Sequence, residues 1–267
     1  SESVARLYNG AGASPATAEW YPFKAAWLRE HEPETYRKAA HLVDAPDWVT
    51  FKLTGEWTTN INSAAIRMYY NRDKGGWPED FYQTIGCGDV FDKIPERVLD
   101  LGTPVGTLAT IPAQLLGLRP GIPVAQGLAD AWAGQIGLGV LSAGSMALIT
   151  GSSHVLTGQA DTEIHGEGFF GAYPDGVMPG QYTVEASQVS TGSVLKWFKD
   201  NFVADYTAAA EKIGLNPYDV LNEQSRNIRP GSDGLIINEY FQGNRTPYTD
   251  SKAVSYTHLT LPTIYSV

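Results

Sequence analysis

The 267-residue chain has a single cysteine, Cys87, so no internal disulfide framework can hold it together. It has no apolar run of about 18 residues, the length a bilayer-spanning helix needs. Its opening, SESVARLYNG, holds no apolar signal-peptide core. These absences predict a cytoplasmic protein with no membrane partner. Positive charge is also scarce: 19 Lys and Arg face 29 Asp and Glu, a net charge of −10, and no basic run exists that could track a phosphate backbone. This balance predicts no nucleic-acid partner. A nucleotide is not excluded, because Mg²⁺ and helix-end amides can neutralise a triphosphate without many basic side chains. Five histidines, at 31, 41, 154, 165 and 258, lack zinc-ligand spacing.

What is present is a large apolar fraction, 43%, with 28 Gly and 16 Pro dispersed along the chain rather than gathered in a low-complexity block. FKAAWLREHEPETYRKAAHL reads as two helical pieces broken before Pro33, and APDWVTFKL as a helix ended by Gly55. TTNINSAAIRMYYNRDKGGWP is polar, then aromatic, then a Gly-Gly turn, and PEDFYQTIG is a short helix. VGTLATI predicts a strand, AQLLGL a helix, and IPVAQG a buried strand running into a helix, DAWAGQIGLG. MALITG and HVLTGQ predict strands flanking Gly151-Ser152-Ser153, and QYTVEAS another. The helix STGSVLKWFKDNF, two further helical stretches (DYTAAAEKIG and DVLNEQSRNI) and the strand GLIIN follow. Alternation of this kind predicts an α/β fold, with a boundary near residues 138–146.

Asp130 is the one charged residue in IPVAQGLADAWAGQIGLG, where a strand gives way to a helix. Two roles fit that place. It can cap the helix, accepting hydrogen bonds from the first free amides. It can also take a proton from a substrate hydroxyl, since the helix dipole favours its ionised form and ligands bind beyond strand ends in open α/β sheets. The glycines around it, Gly127, Gly134, Gly137 and Gly139, predict close packing of helix on sheet. Gly151-Ser152 is either a plain hairpin turn or a phosphate-facing one, and Thr191-Gly192-Ser193 either an ordinary cap or a phosphate-binding helix start.

In order along the chain, GLADAWAGQIGLGVLSAG, ITGSS, GQYTVEASQVSTGSVLKW and GLIINEYFQGNRTPY closely resemble the FGGY carbohydrate kinases, members of the actin-like ATPase superfamily. Upstream, SPATAEWYPFKAAWLREHEPETY, DWVTFKLTGEW and GGWPEDFYQTIG resemble that family's first domain. The resemblance implies an actin-like ATPase (ribonuclease H-like) α/β fold with two domains around a cleft, both incomplete here. Residues 1–138 would be the C-terminal part of the sugar-binding domain and 139–253 the N-terminal part of the ATP-binding domain. It also implies phosphoryl transfer from MgATP to a sugar or polyol, a pentulose such as ribulose being the best match, with a homodimer as a possible assembly.

By the same resemblance Asp130 is the catalytic base, and Glu19, Asp130 and Ala131 are substrate-binding positions, Ala131 standing where a polar contact is common. Gly151 and Ser152 match the turn at the ATP γ-phosphate, and Gly192 and Lys196 positions that contact the nucleotide. Metal enters only as Mg²⁺ with ATP. Two parts of the family's ATP site, a phosphate hairpin before residue 1 and an adenine-binding segment after NRTPY, are expected to be missing, so the fragment itself is expected to be inactive. VSYTHLTLPT is compatible codon by codon with a sequencing-adapter word, so residues 254–267 are expected to be a non-native tail. The rival readings are a non-catalytic carbohydrate-binding module and another actin-like ATPase.

Overall fold

A computed structural model describes residues 18–250 and 252–253; the tail expected from about Val254 lies outside the described residues. Residues 18–149, 155–187 and 246–249 form one unit, and residues 150–154, 188–245, 250 and 252–253 form a second.

The first unit opens with α1 (Tyr21–His31), which starts on a proline and stops where Pro33 begins α2 (Pro33–Lys38). Next, α3 (Ala45–Thr54) also starts with a proline and ends at Gly55, whose left-handed φ of 81° lets its amide reach Phe51 O at 2.7 Å. After β1 (Thr59–Asn60) comes α4 (Ile61–Met68), a buried helix capped by Asn60, whose side chain accepts from the Ser63 amide at 2.7 Å. The sequence reading left this stretch without a helix. Asn and Ser are weak helix formers, and burial of nearly every residue of α4 supplies what propensity does not.

Short helix α5 (Glu79–Thr84) precedes β2 (Val98–Leu99), which pairs in parallel with β1. A hairpin of β3 (Pro104–Thr107) and β4 (Pro123–Ala125) brackets α6 (Thr110–Leu116). The strand predicted over residues 105–111 therefore stops early, and its last residues already belong to α6. β4 leads to α7 (Asp130–Gly137). A four-stranded sheet in the order β5-β6-β8-β7 completes the unit, from β5 (Met146–Thr150), β6 (His154–Ala160), β7 (Phe170–Pro174) and β8 (Tyr182–Gln188). Its core is aromatic: Trp20, Tyr69, Phe81, Tyr82, Trp132, Phe170 and Tyr173 pack with Ile66, Val90 and Ile94. Trp20 and Tyr21 belong to this core, whereas Trp27 is exposed and stacks on His31.

The second unit contains α8 (Gly192–Phe202), α9 (Ala204–Lys212) and α10 (Pro217–Ser225). Among its described residues Ala210 is the only buried apolar side chain. The predicted strand GLIIN forms no strand: Leu235, Ile236 and Ile237 are exposed, Ile236 by 90%. A β-branched run becomes a strand only against a neighbouring ladder, and the described residues offer it none. No helix of the described residues is long and apolar enough to cross a membrane.

Candidate functional site

Two neighbouring concavities in the first unit collect most of its sequence candidates. A cavity of about 260 Å³ is lined by Glu19, Tyr21, Lys24, Asp44, Asn62, Ser63, Arg67 and Trp132. A shallower groove of about 580 Å³ runs past Val49, Leu53, Gly127, Leu128 and Asp130. Ala45, Pro46 and Ala129 line both, so the two share a wall. Glu19 and Asp130 thus face adjoining spaces rather than one. Ala131 packs against the aromatic core and lines neither.

Asp130 is not the helix cap that its sequence position suggested. Ala129, with extended φ and ψ of −72° and 152°, takes that place, and Asp130 is the first helical residue. Its exposed carboxylate accepts from the Ala131 amide at 2.9 Å. The shift by one residue keeps the charge in the first turn, where the helix dipole favours an anion, and leaves the other carboxylate oxygen open to the groove. Of the glycines near it, Gly134 alone approaches the sheet closely, since a Cβ there would stand 2.9 Å from Ile149 Cδ1. Gly127, Gly137 and Gly139 would meet nothing within 4 Å, so the packing reading holds for one of the four.

Arg67, which the sequence reading passed over, is the cation of the cavity. Its Nη1 lies 3.2 Å from Glu185 Oε1, and its guanidinium sits 4.5 Å from the Trp20 ring and 5.0 Å from the Trp132 ring. Its side chain is 27% exposed and that of Glu185 only 2%. Burial is the largest influence and works against its charge, but Glu185, Tyr173 and Glu19 together outweigh it and the guanidinium's pKa rises. The cavity therefore offers a fixed, aromatic-clamped cation beside the acids Glu19 and Asp44 and the amide of Asn62, a set suited to a polyhydroxylated ligand. The local signal that could have found Arg67 is the cap pair Asn60 and Ser63, which starts α4 and so places Arg67 on its inner face.

In the second unit, Gly151, Ser152 and Gly192 come together. Ser152 O accepts from the Thr191 amide at 2.9 Å and from Ser193 Oγ at 3.2 Å, docking the turn onto the start of α8. An added Cβ at Gly192 would lie 2.5 Å from Gly151 O, so this backbone contact admits no side chain. Gly192→Ala is accordingly expected to destabilise this unit by about 1–3 kcal/mol. Chemical denaturation followed by Trp197 fluorescence checks it, and an unshifted transition would contradict the contact. Lys196, one turn on, is engaged by Asp200 on the same helix and is exposed. Hydrogen bonds from Lys196 and Lys199 hold the Asp200 carboxyl below its usual pKa. Among the described residues no cluster of three His, Cys, Asp or Glu side chains could hold a metal.

Comparison with known proteins places this architecture. Residues 10–137 match the N-terminal domain of the FGGY family of carbohydrate kinases and residues 146–263 its C-terminal domain. A ribulokinase from Anoxybacillus flavithermus is 31% identical over 256 residues, covering 92% of this chain and 45% of that protein. Among solved structures, a xylulose kinase from Lactobacillus acidophilus superposes with a TM-score of 0.74 at 19% identity, over 95% of this chain and 48% of the other. A gluconate kinase from the same organism gives 0.76 at 19% identity, over 95% and 48%. The chain spans about half the length of the relatives it matches, and the fold it shares with them is the actin-like ATPase fold. With both domain signatures of one family matched in order along it, the chain belongs to the FGGY carbohydrate kinases.

Proposed function

We propose that the whole protein of which this chain is part transfers the γ-phosphoryl group of ATP to a hydroxyl of a sugar or polyol, with a pentulose such as ribulose as the substrate of choice. The observation that carries this reading is the shared wall between the Arg67 cavity and the Asp130 groove, which sets a polar ligand pocket directly beside an exposed carboxylate at a helix start. In this reading the sugar occupies the cavity against Glu19, Asn62 and Arg67, and Asp130 accepts the proton of the attacking hydroxyl. Ala131 contributes backbone at that helix start and no polar side-chain contact.

The nucleotide's phosphates are assigned to Gly151, Ser152 and Gly192. Because the turn docks on the helix start through backbone contact, the Ser152 hydroxyl and the first amides of α8 stand close together, and groups of these kinds suit a phosphate. Lys196 can swing to the phosphates by leaving Asp200, and an exposed pair of this kind is worth little. Mg²⁺ would arrive with ATP and spread the developing charge on the transferred group. Since phosphoryl transfer asks the protein mainly to position and to stabilise charge, these groups are of the right kinds for it.

The choice of ribulose rests on the ribulokinase relatives, while the xylulose and gluconate kinases share the fold at lower identity. The test is to express the full-length gene product and measure ADP release with ribulose, xylulose, gluconate and glycerol in turn. Ribulose-dependent ADP release above the others is expected. ATP hydrolysis indifferent to every sugar would favour another actin-like ATPase, and sugar binding indifferent to ATP a binding module; either result overturns the reading.

A further inference from the structure

Asp47 has no part in the reading above, yet it stands behind the wall that the cavity and the groove share. It lies in the first turn of α3, 1% exposed, next to Ala45 and Pro46, which line both concavities. Its Oδ1 accepts three hydrogen bonds, from the Asn60 amide at 2.9 Å, Asn60 Nδ2 at 2.9 Å and Gln126 Nε2 at 3.0 Å. The donors lead in two directions. Asn60 caps α4, the helix that carries Asn62, Ser63 and Arg67 into the cavity. Gln126, also held by Thr58 at 2.7 Å, directly follows β4 and begins the loop to Asp130.

The arrangement is costly if it serves only to staple the fold. Oδ2 of Asp47 is buried without a partner, and an unpaired buried oxygen on a carboxylate opposes folding. Burial, with help from Asp44, pushes the carboxyl up to about 6 against the pull of the Asn60 and Gln126 bonds. Two neutral groups could staple α3 to α4 and β4 without that penalty. What one carboxylate oxygen does is join both arms at a single point, so that α4 and the loop ahead of Asp130 cannot shift independently. Asn62 adds a second tie, accepting from the Ala129 amide at 3.3 Å.

We propose that Asp47 is a positioning residue that holds the cavity-lining helix α4 and the 126–129 loop in register, and so fixes where Asp130 stands relative to a bound sugar. The proposal rests on the reading of Asp130 as base and of the Arg67 cavity as the sugar site.

Hydrogen–deuterium exchange on the 267-residue chain tests the geometry without requiring activity. Asp47→Ala is expected to raise exchange in residues 60–63 and 126–131 together, and Asp47→Asn, whose amide oxygen can take the same three bonds, to restore both. Gln126→Met, which cuts one arm, should raise 126–131 and spare 60–63, and it decides the matter if Asp47→Ala fails to fold. Unchanged exchange in both segments, or a uniform rise over the whole first unit, overturns the proposal. In the full-length protein Asp47→Ala should lower kcat/KM by about tenfold to 100-fold, through kcat as well as KM, with recovery in Asp47→Asn. Wild-type protein without sugar-dependent turnover would defeat the functional reading while leaving the exchange result to judge the coupling.

Discussion

Replacing Glu185 with alanine is expected to cost the first unit about 3–5 kcal/mol of stability, because it strands a cation in a largely buried site. Arg67 would keep its place between the Trp20 and Trp132 rings, 4.5 and 5.0 Å away, and its hydrogen bond to Tyr173, but would lose the carboxylate 3.2 Å from Nη1. Cation–π attraction of about 0.5–2 kcal/mol per ring offsets only part of that loss. Arg67→Met should be as damaging, since it leaves the carboxylate of Glu185 dry and unpaired. The double variant Arg67→Met/Glu185→Leu removes both charges and is expected to recover much of the stability, as buried pairs replaced by apolar groups often do. Urea unfolding of the four proteins in a double-mutant cycle provides the check. Additive single losses would mean that the two side chains do not act as a pair. If Arg67 also faces the sugar, the double variant separates its two duties: it should fold near wild type and yet bind sugar poorly.

That pair also marks the limit of what could be read before the fold was known. The strand QYTVEAS was legible from its alternation, and β8 does alternate, but with the opposite face inside: Thr183, Glu185 and Ser187 are buried while Val184 and Ala186 are less so. Periodicity gives two faces and assigns the apolar one inward. At Glu185 the inversion comes from Arg67, more than a hundred residues upstream on a helix whose Asn-Ser-rich start concealed it, and at Thr183 from Gln159, whose Nε2 lies 3.2 Å from its hydroxyl. The fold class was legible because it depends on the order of elements, which local patterns record. The turn at Gly151-Ser152 and the helix start at Gly192 were legible as motifs, and their mutual contact follows from the absence of a Cβ. GLIIN was misread for the converse reason, since a strand is a relation between two segments and one segment cannot declare it. The wall shared by cavity and groove was not legible at all, because Ala45, Pro46 and Ala129 carry no chemistry that would single them out.

Asp130→Asn in the full-length protein is expected to lower kcat by about 10²–10⁴-fold, the usual contribution of a positioned general base. Asparagine keeps the size of the side chain and an oxygen that can accept from the Ala131 amide, a bond of 2.9 Å in the structure. It cannot take a proton from the attacking hydroxyl. Because the residue is exposed, is not the N-cap and keeps its bond to the Ala131 amide as asparagine, the change should move the unfolding midpoint little. KM for the sugar should move little, since the cavity that would hold the substrate is built from Glu19, Asn62 and Arg67 and not from Asp130. A loss confined to kcat identifies an interaction made only in the transition state, whereas a rise in KM alone would make Asp130 a ground-state contact. If the variant keeps kcat within about threefold of wild type, proton transfer to Asp130 contributes too little to count as base catalysis, and another group must receive the proton. The exposed first-turn carboxylate would then act through its charge alone, and its effect should fade with added salt in a way that proton transfer would not.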